Sequence, residues 1–193
     1  MANQRSLEQR IARLEAKDEI RELCARYNHA VDDRDIDTLG ALFCTDGRFR
    51  SRDGVMDAQG RDRVIEQFHG RFAAIGPSNH IQHDHIITFD DDRDNRGAGG
   101  DGPTAAVGLI NSHAEVWRGG SMMIAALRYE DRYRVEDGGW RFEDRLLSFM
   151  YYLPVQEYAD AMGGVERMRA YGDRRPADYP EGLASWRKYY GDD

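Results

Sequence analysis

The sequence predicts an α+β fold in which helices come first and a curled antiparallel sheet follows. Three observations carry this reading. Apolar residues recur at helical spacing through the first 75 residues, β-branched and aromatic runs fill 79–152, and glycine, proline and aspartate turn signals separate the runs.

Leu7, Ile11 and Leu14 open at helical spacing. Ile20, Cys24, Tyr27 and Val31 resume it after a phase break near Asp18, which reads as a cap between a short helix and a longer one. Asp35 is an N-cap candidate for a helix that starts at Ile36 and ends near Phe43. Asp46-Gly47 turns the chain into a short strand, Arg48-Phe49-Arg50. Val64, Ile65, Phe68, Phe72 and Ile75 mark a further helix, stopped by Gly76-Pro77. Strands are expected over 79–89, 104–117, 121–136 and 139–152, with turns at Gly119-Gly120 and Asp137-Gly138-Gly139. Asp90 to Pro103, rich in acids and glycines, is expected to be a mobile surface loop. Residues 1–153 then form one domain. Pro154, Pro176, Pro180 and the aromatic residues from Tyr158 to Tyr190 make 154–193 a helix and an extended tail, which needs a surface of its own or a neighbouring subunit to lie on. Helices that cap the concave face of a curled sheet leave a pocket.

A chain of 193 residues is long enough for one substantial core. Its formal charge of −8 and pI near 5.3 leave no basic surface for a polyanion, so neither nucleic acid nor an anionic membrane is an expected partner. Two cysteines, Cys24 and Cys44, make no disulfide framework, and Cys24 among apolar neighbours is expected to be a buried thiol in a reducing compartment. The N-terminus lacks the apolar core of a signal peptide, and no stretch approaches the roughly 20 apolar residues of a membrane span. A cytoplasmic location is expected.

A histidine abstracts protons well near neutral pH when its other ring nitrogen donates to a carboxylate. Asp32, ending the segment from Tyr27, and His80, heading a strand, supply both residue types, and their pairing points to proton transfer without a cofactor. A carboxylate in a last helical turn opposes the helix dipole by about 0.3–1 kcal/mol. Asp32 therefore asks for a reason, the plainer one being solvation of the helix end together with Asp33 and Asp35. Period-two alternation puts His83 and His85 on one face of their strand and His80 on the other. With His113 on the next strand, His83 and His85 are either a set of the kind that binds a metal or simply outward polar residues. Tyr27 lies on the apolar stripe, as a core tyrosine or as a wall phenol able to polarise a carbonyl. Arg145 alternates with Glu143 and Leu147; turned inward, it requires an anionic partner. Periodicity nominates Phe49, Phe68, Phe72, Met150 and Tyr152 for an apolar pocket wall suited to a small hydrophobic ring compound.

The segments from Ile20 to Tyr27, Val31-Asp32, Leu42-Phe43, Asp46-Gly47, His80 and Gly138-Gly139-Trp140-Arg141-Phe142 resemble the SnoaL-like branch of the nuclear transport factor 2-like superfamily over roughly residues 15–153. The resemblance implies a cone-shaped, cystatin-like α+β fold. Within the branch the chain is most similar to the scytalone dehydratases, bile-acid 7α-dehydratases and hexachlorocyclohexane dehydrochlorinases. These place an aspartate on the first long helix and a histidine about four dozen residues later, as Asp32 and His80 stand here. The bile-acid enzymes also carry a tyrosine five residues before the aspartate, matched by Tyr27, and an arginine after the Trp-x-Phe strand, matched by Arg145. The resemblance thus implies a cofactor-independent, dehydratase-like lyase with Asp32, His80, Tyr27 and Arg145 as catalytic residues and no metal. His113 or Asn111 stands where scytalone dehydratases have a second histidine, and Phe49 stands where they have a second phenol. An isomerase or polyketide-cyclase-like enzyme, or a ligand-binding module without chemistry, is the alternative. Relatives assemble through the outer face of the sheet, which implies a homotrimer.

Overall fold

The computed structural model describes residues 5–93 and 102–191. Ser6 and Gln9 satisfy each other's backbone amides in a capping box, and from there helix α1, Leu7–Asp33, runs 27 residues without interruption. The break expected near Asp18 is absent because Asp18 sits on the exposed side, where an aspartate costs a helix little. The two apolar stripes belong to one helix whose first turns are uncovered: Leu7, Ile11 and Leu14 are exposed, while Ile20, Leu23, Cys24, Tyr27 and Val31 are buried. Arg34 ends α1 in the left-handed conformation at φ 63°.

Helix α2, Ile36–Ala41, is capped by Asp35, whose carboxylate accepts from the Thr38 amide at 3.0 Å. Strand β1 spans Phe43–Ser51, longer than the three residues expected, and is followed by β2, Asp57–Gln59, and α3, Arg61–Ala74. The long strands are β3 (Ser78–Phe89), β4 (Ala105–Arg118), β5 (Ser121–Glu136) and β6 (Gly139–Pro154), with one helical turn, α4 (Asp90–Arg93), after β3. The middle of the expected loop, 94–101, lies outside the described residues. The six strands form one curved, open sheet in the order β2-β1-β6-β5-β4-β3, antiparallel except where β1 runs parallel to β6. Helix α1 packs on its concave face against β3 and β6. No helix among the described residues is long and apolar enough to cross a membrane.

Register shifts decide what faces the concavity. Between Gln82 and His85 strand β3 carries one residue more than β4 opposite it. On β6 there is an extra residue at Glu143 and another at Met150 relative to β5. Each such bulge flips the alternation of everything beyond it. His80 and His85 consequently share the concave side with Ile87 and Phe89, and His83 points outward, against the simple period-two expectation. The same device turns Phe142 and Arg145 inward together, and Phe149 and Tyr152 likewise.

Gly108 on β4, opposite Ile87 and two residues along from Ile110, the partner of His85, leaves room for a hydrogen bond between His85 and Tyr133. A Cβ there would lie 2.5 Å from the Tyr133 hydroxyl and 2.9 Å from His85 Nε2. Gly108→Ala should therefore separate that pair and lower stability by roughly 1–3 kcal/mol, read from thermal or urea unfolding; an unchanged midpoint would mean that the pair is not held.

Beyond β6 a 3-10 segment, Val155–Gly163, leads into a tail that returns to the same chain. Met168 bridges Tyr152, and Asp178 exchanges hydrogen bonds with the Phe149 backbone, its carboxylate accepting from the amide at 2.7 Å. Buried Arg167 donates to the Met150 carbonyl at 2.7 Å and pairs with Glu181 at 2.7 Å. A short helix, α5 (Ala184–Tyr190), follows.

Candidate active site

Asp32 closes α1 and His80 opens β3, and the fold brings them into contact. His80 Nδ1 lies 2.6 Å from Asp32 Oδ1, the His80 amide donates to Oδ2 at 2.7 Å, and the Ser78 hydroxyl donates to Oδ1 at 2.7 Å. Arg34 donates to the Ser78 hydroxyl at 3.0 Å, which ties the end of α1 to the start of β3. Burial opposes ionisation of Asp32, but the bonds from His80 and Ser78 and the charge on the imidazole outweigh it and hold the carboxyl below its ordinary value. With Nδ1 committed to the carboxylate, Nε2 is the nitrogen available for proton transfer.

His80 lines a mainly apolar cavity of about 270 Å³ in the mouth of the cone. Met56, Leu127, Leu147 and Phe149 supply apolar wall, Tyr129 and Tyr152 bring phenols, and the tail contributes Ala170 and Tyr171. Helix α3 faces it with Gln67, Gly70, Arg71 and Ala74.

Several residues expected at this wall stand elsewhere. Phe49 and Phe68 are fully buried and pack around Tyr27, since the stripe of α3 through Val64 and Phe68 faces the core and the stripe through Gln67 and Arg71 faces the cavity. Phe72 lies under the Arg34 guanidinium, 4.6 Å from its ring centre. Met150 occupies a bulge and packs beside the outer cluster of Ala126, Tyr151 and Leu153. His113 also faces out, because its neighbour Ala114 takes the inward position; it meets His83 at 2.7 Å and the Tyr151 hydroxyl at 3.1 Å. With His85 on the opposite face, the three histidines do not converge on a metal. Asn111 is likewise outward, accepting from Arg128 at 3.3 Å. Among the described residues Cys44, Asp46 and Glu136 do converge, but Arg134 is bonded to both carboxylates and fills the position a cation would take.

Tyr27 and Arg145 stand one layer behind the cavity. Arg145 is completely buried, 3.6 Å from Asp131, with its guanidinium 3.9 Å from the Tyr129 ring centre and 4.1 Å from that of Tyr27. Tyr129, two residues before Asp131 on the inward side of β5, is the phenol between Arg145 and the cavity. The sequence offered a signal for it, since Tyr129, Asp131 and Tyr133 recur with period two. Ser78, two residues before His80, was legible in the same way.

Behind this layer runs a second polar chain. The Tyr133 hydroxyl donates to Asp131 at 2.8 Å and lies 3.2 Å from His85 Nε2. A phenol has one proton, so His85 donates from Nε2 and leaves Nδ1 without a partner in the described structure. Burial, then the charges of Arg145 and Arg21, push the His85 pKa down to about 4. Burial pushes Asp131 up to about 6 although Arg145 pulls it down. The His85 ring signals in an NMR titration should therefore stay flat from neutral pH to about pH 5; a midpoint near 6.5 would contradict the burial. Its stabilising contribution is complete above the ordinary 6.5 and is lost as pH falls through about 4. Asp131 acts with the opposite sign, its contribution being complete below 3.8 and lost as pH rises through about 6.

The SnoaL-like domain model matches residues 12–145. Among solved structures, a hexachlorocyclohexane dehydrochlorinase (LinA type 2) is 16% identical with a TM-score of 0.66, covering 76% of this chain and 93% of that one. A Novosphingobium aromaticivorans protein provisionally assigned as a scytalone dehydratase is 20% identical with a TM-score of 0.62, covering 73% and 88%. A Nostoc punctiforme protein with a cystatin-like fold is 22% identical at a TM-score of 0.50, covering 69% and 90%. No curated protein sequence matches. At these identities the solved structures speak for the cone-shaped fold alone, and the domain match, spanning more than half the chain, carries the family: this chain belongs to the SnoaL-like domain family, within the nuclear transport factor 2-like superfamily.

Proposed function

We propose that the protein is a cofactor-independent lyase that eliminates water, or another leaving group, from a small hydrophobic ring compound. The observation that carries this is the His80–Asp32 contact at 2.6 Å in the wall of an apolar cavity. His80 Nε2 takes the proton from the carbon beside a carbonyl, and the electron pair moves onto the carbonyl oxygen. Tyr129, whose phenol lines the same cavity, donates to that oxygen; a donor so placed supplies on the order of 3 kcal/mol. Collapse of the enolate expels the β-hydroxyl, which leaves as water with the imidazolium proton, and His80 returns to its neutral form. Asp32 keeps the tautomer and steadies the charged ring throughout. Arg145 acts as a positioning residue, holding Tyr129 by its ring.

Product analysis on a β-hydroxytetralone in deuterated water tests this. Loss of water is the expected result. Deuterium exchange at the carbon beside the carbonyl with unchanged mass otherwise would assign the pocket to isomerase- or cyclase-type chemistry, and no exchange with this or related hydroxyketones would favour a binding module. We also propose a cytoplasmic homotrimer. Ile81, Ile86 and Leu109 lie exposed on the outer face of β3 and β4, an apolar patch that association would cover. Light scattering that returns only the monomer mass would reject it.

A further inference from the structure

The chain carries 35 acidic residues against 27 lysines and arginines. The cavity reverses that balance: two arginines, Arg71 and Arg118, line it, and among the described residues no aspartate or glutamate does. The carboxylate nearest the chemistry, Asp32, is already taken up by His80 and Ser78 behind the wall.

Neither arginine has a carboxylate partner among the described residues. Arg71 comes from the last turns of α3, with its guanidinium against the Met56 sulfur and 5.5 Å from the Phe68 ring centre. Arg118 ends β4 and approaches the Tyr152 hydroxyl. Elsewhere this protein pairs its arginines densely: Arg48, Arg50, Arg52, Arg134, Arg167 and Arg169 each meet an acid. Two half-buried guanidinium groups left without acids, on different elements around one apolar cavity, are placed where a bound anion completes their hydrogen bonds.

We infer that the cavity binds a ring compound carrying a carboxylate, held by Arg71 and Arg118. This rests on the proposed reading of the cavity as the substrate site and narrows its substrate class. The apolar wall takes the ring, the arginines take the acid group, and the pair of anchors fixes which carbon of the ring meets His80. The volume of about 270 Å³ suits one or two fused rings.

Titration calorimetry of the full chain with a naphthoate and with the corresponding neutral naphthamide tests the assignment without requiring turnover. The naphthoate should bind roughly tenfold or more tightly, the worth of one or two charge-assisted hydrogen bonds. Arg71→Gln and Arg118→Gln should each reduce the preference, the double variant should abolish it, and Lys at both positions should restore part of it. His80→Ala should keep it, so failure of the elimination chemistry and failure of the anion site are read separately. Equal affinity for the two ligands, binding of neither, or a preference that survives loss of both arginines overturns the assignment. So does a preference lost in His80→Ala alone, which would place the acid on the imidazole instead.

Discussion

His80→Ala should lower turnover of an accepted hydroxyketone by about two to four orders of magnitude while leaving the fold intact, because the base that starts the reaction is gone. Asp32→Asn is expected to come close to it for a different reason. An asparagine amide can donate to Nδ1, which forces the ring proton onto Nε2 and turns the base into a donor. Ser78→Ala removes one of the bonds to Asp32 Oδ1 and should cost far less, about tenfold. The measurements are initial rates together with far-UV circular dichroism and unfolding curves for each variant. Full activity in both His80→Ala and Asp32→Asn would sink the dyad as a catalytic unit.

The buried pair behind the cavity gives the largest expected effect on stability. Asp131→Asn leaves Arg145 charged, fully buried and facing aromatic rings with no counter-ion, and should destabilise the protein by about 3–5 kcal/mol in urea unfolding. Arg145→Met should cost less at low pH. The remaining carboxyl, already pushed up to about 6, takes a proton and becomes neutral. That cost should grow as pH rises, since ionising Asp131 without the guanidinium means charging a buried carboxylate. Replacing both residues by apolar ones should be milder than Asp131→Asn alone. An Asp131→Asn variant within about 1 kcal/mol of the parent would show that the pair does not hold the interior.

Residue types and periodicity made most of the architecture legible: the helical stripes, the four long strands and their turns follow from patterns that local sterics enforce. The Asp32 and His80 positions were legible through their spacing and the family resemblance. What the pattern could not supply was the phase of the strands. A bulge adds one residue with no compositional mark, so simple alternation puts Met150 and Tyr152 on one face and separates His85 from His80. Arg145 is an instructive case: its inward turn depends on the extra residue at Glu143, and its burial behind Tyr129 depends on packing among Tyr27, Tyr129 and Phe142 that no single strand encodes. The continuous α1 has a similar cause, since an exposed Asp18 and a cap look alike until the partner surface is known.

The SnoaL-like match ends at Arg145, within β6. Leu147, Phe149 and Tyr152, and then Ala170 and Tyr171 from the returning tail, all lie downstream of that boundary, yet they line the cavity. Part of the cavity wall therefore lies outside the stretch that carries Asp32 and His80, while Arg71, Arg118 and Tyr129 lie within it. Beyond β6, among the described residues, only Ala170 and Tyr171 reach the cavity, so substitutions in the returning tail would reshape that part of the wall while Asp32, His80, Arg71 and Arg118 stay in place.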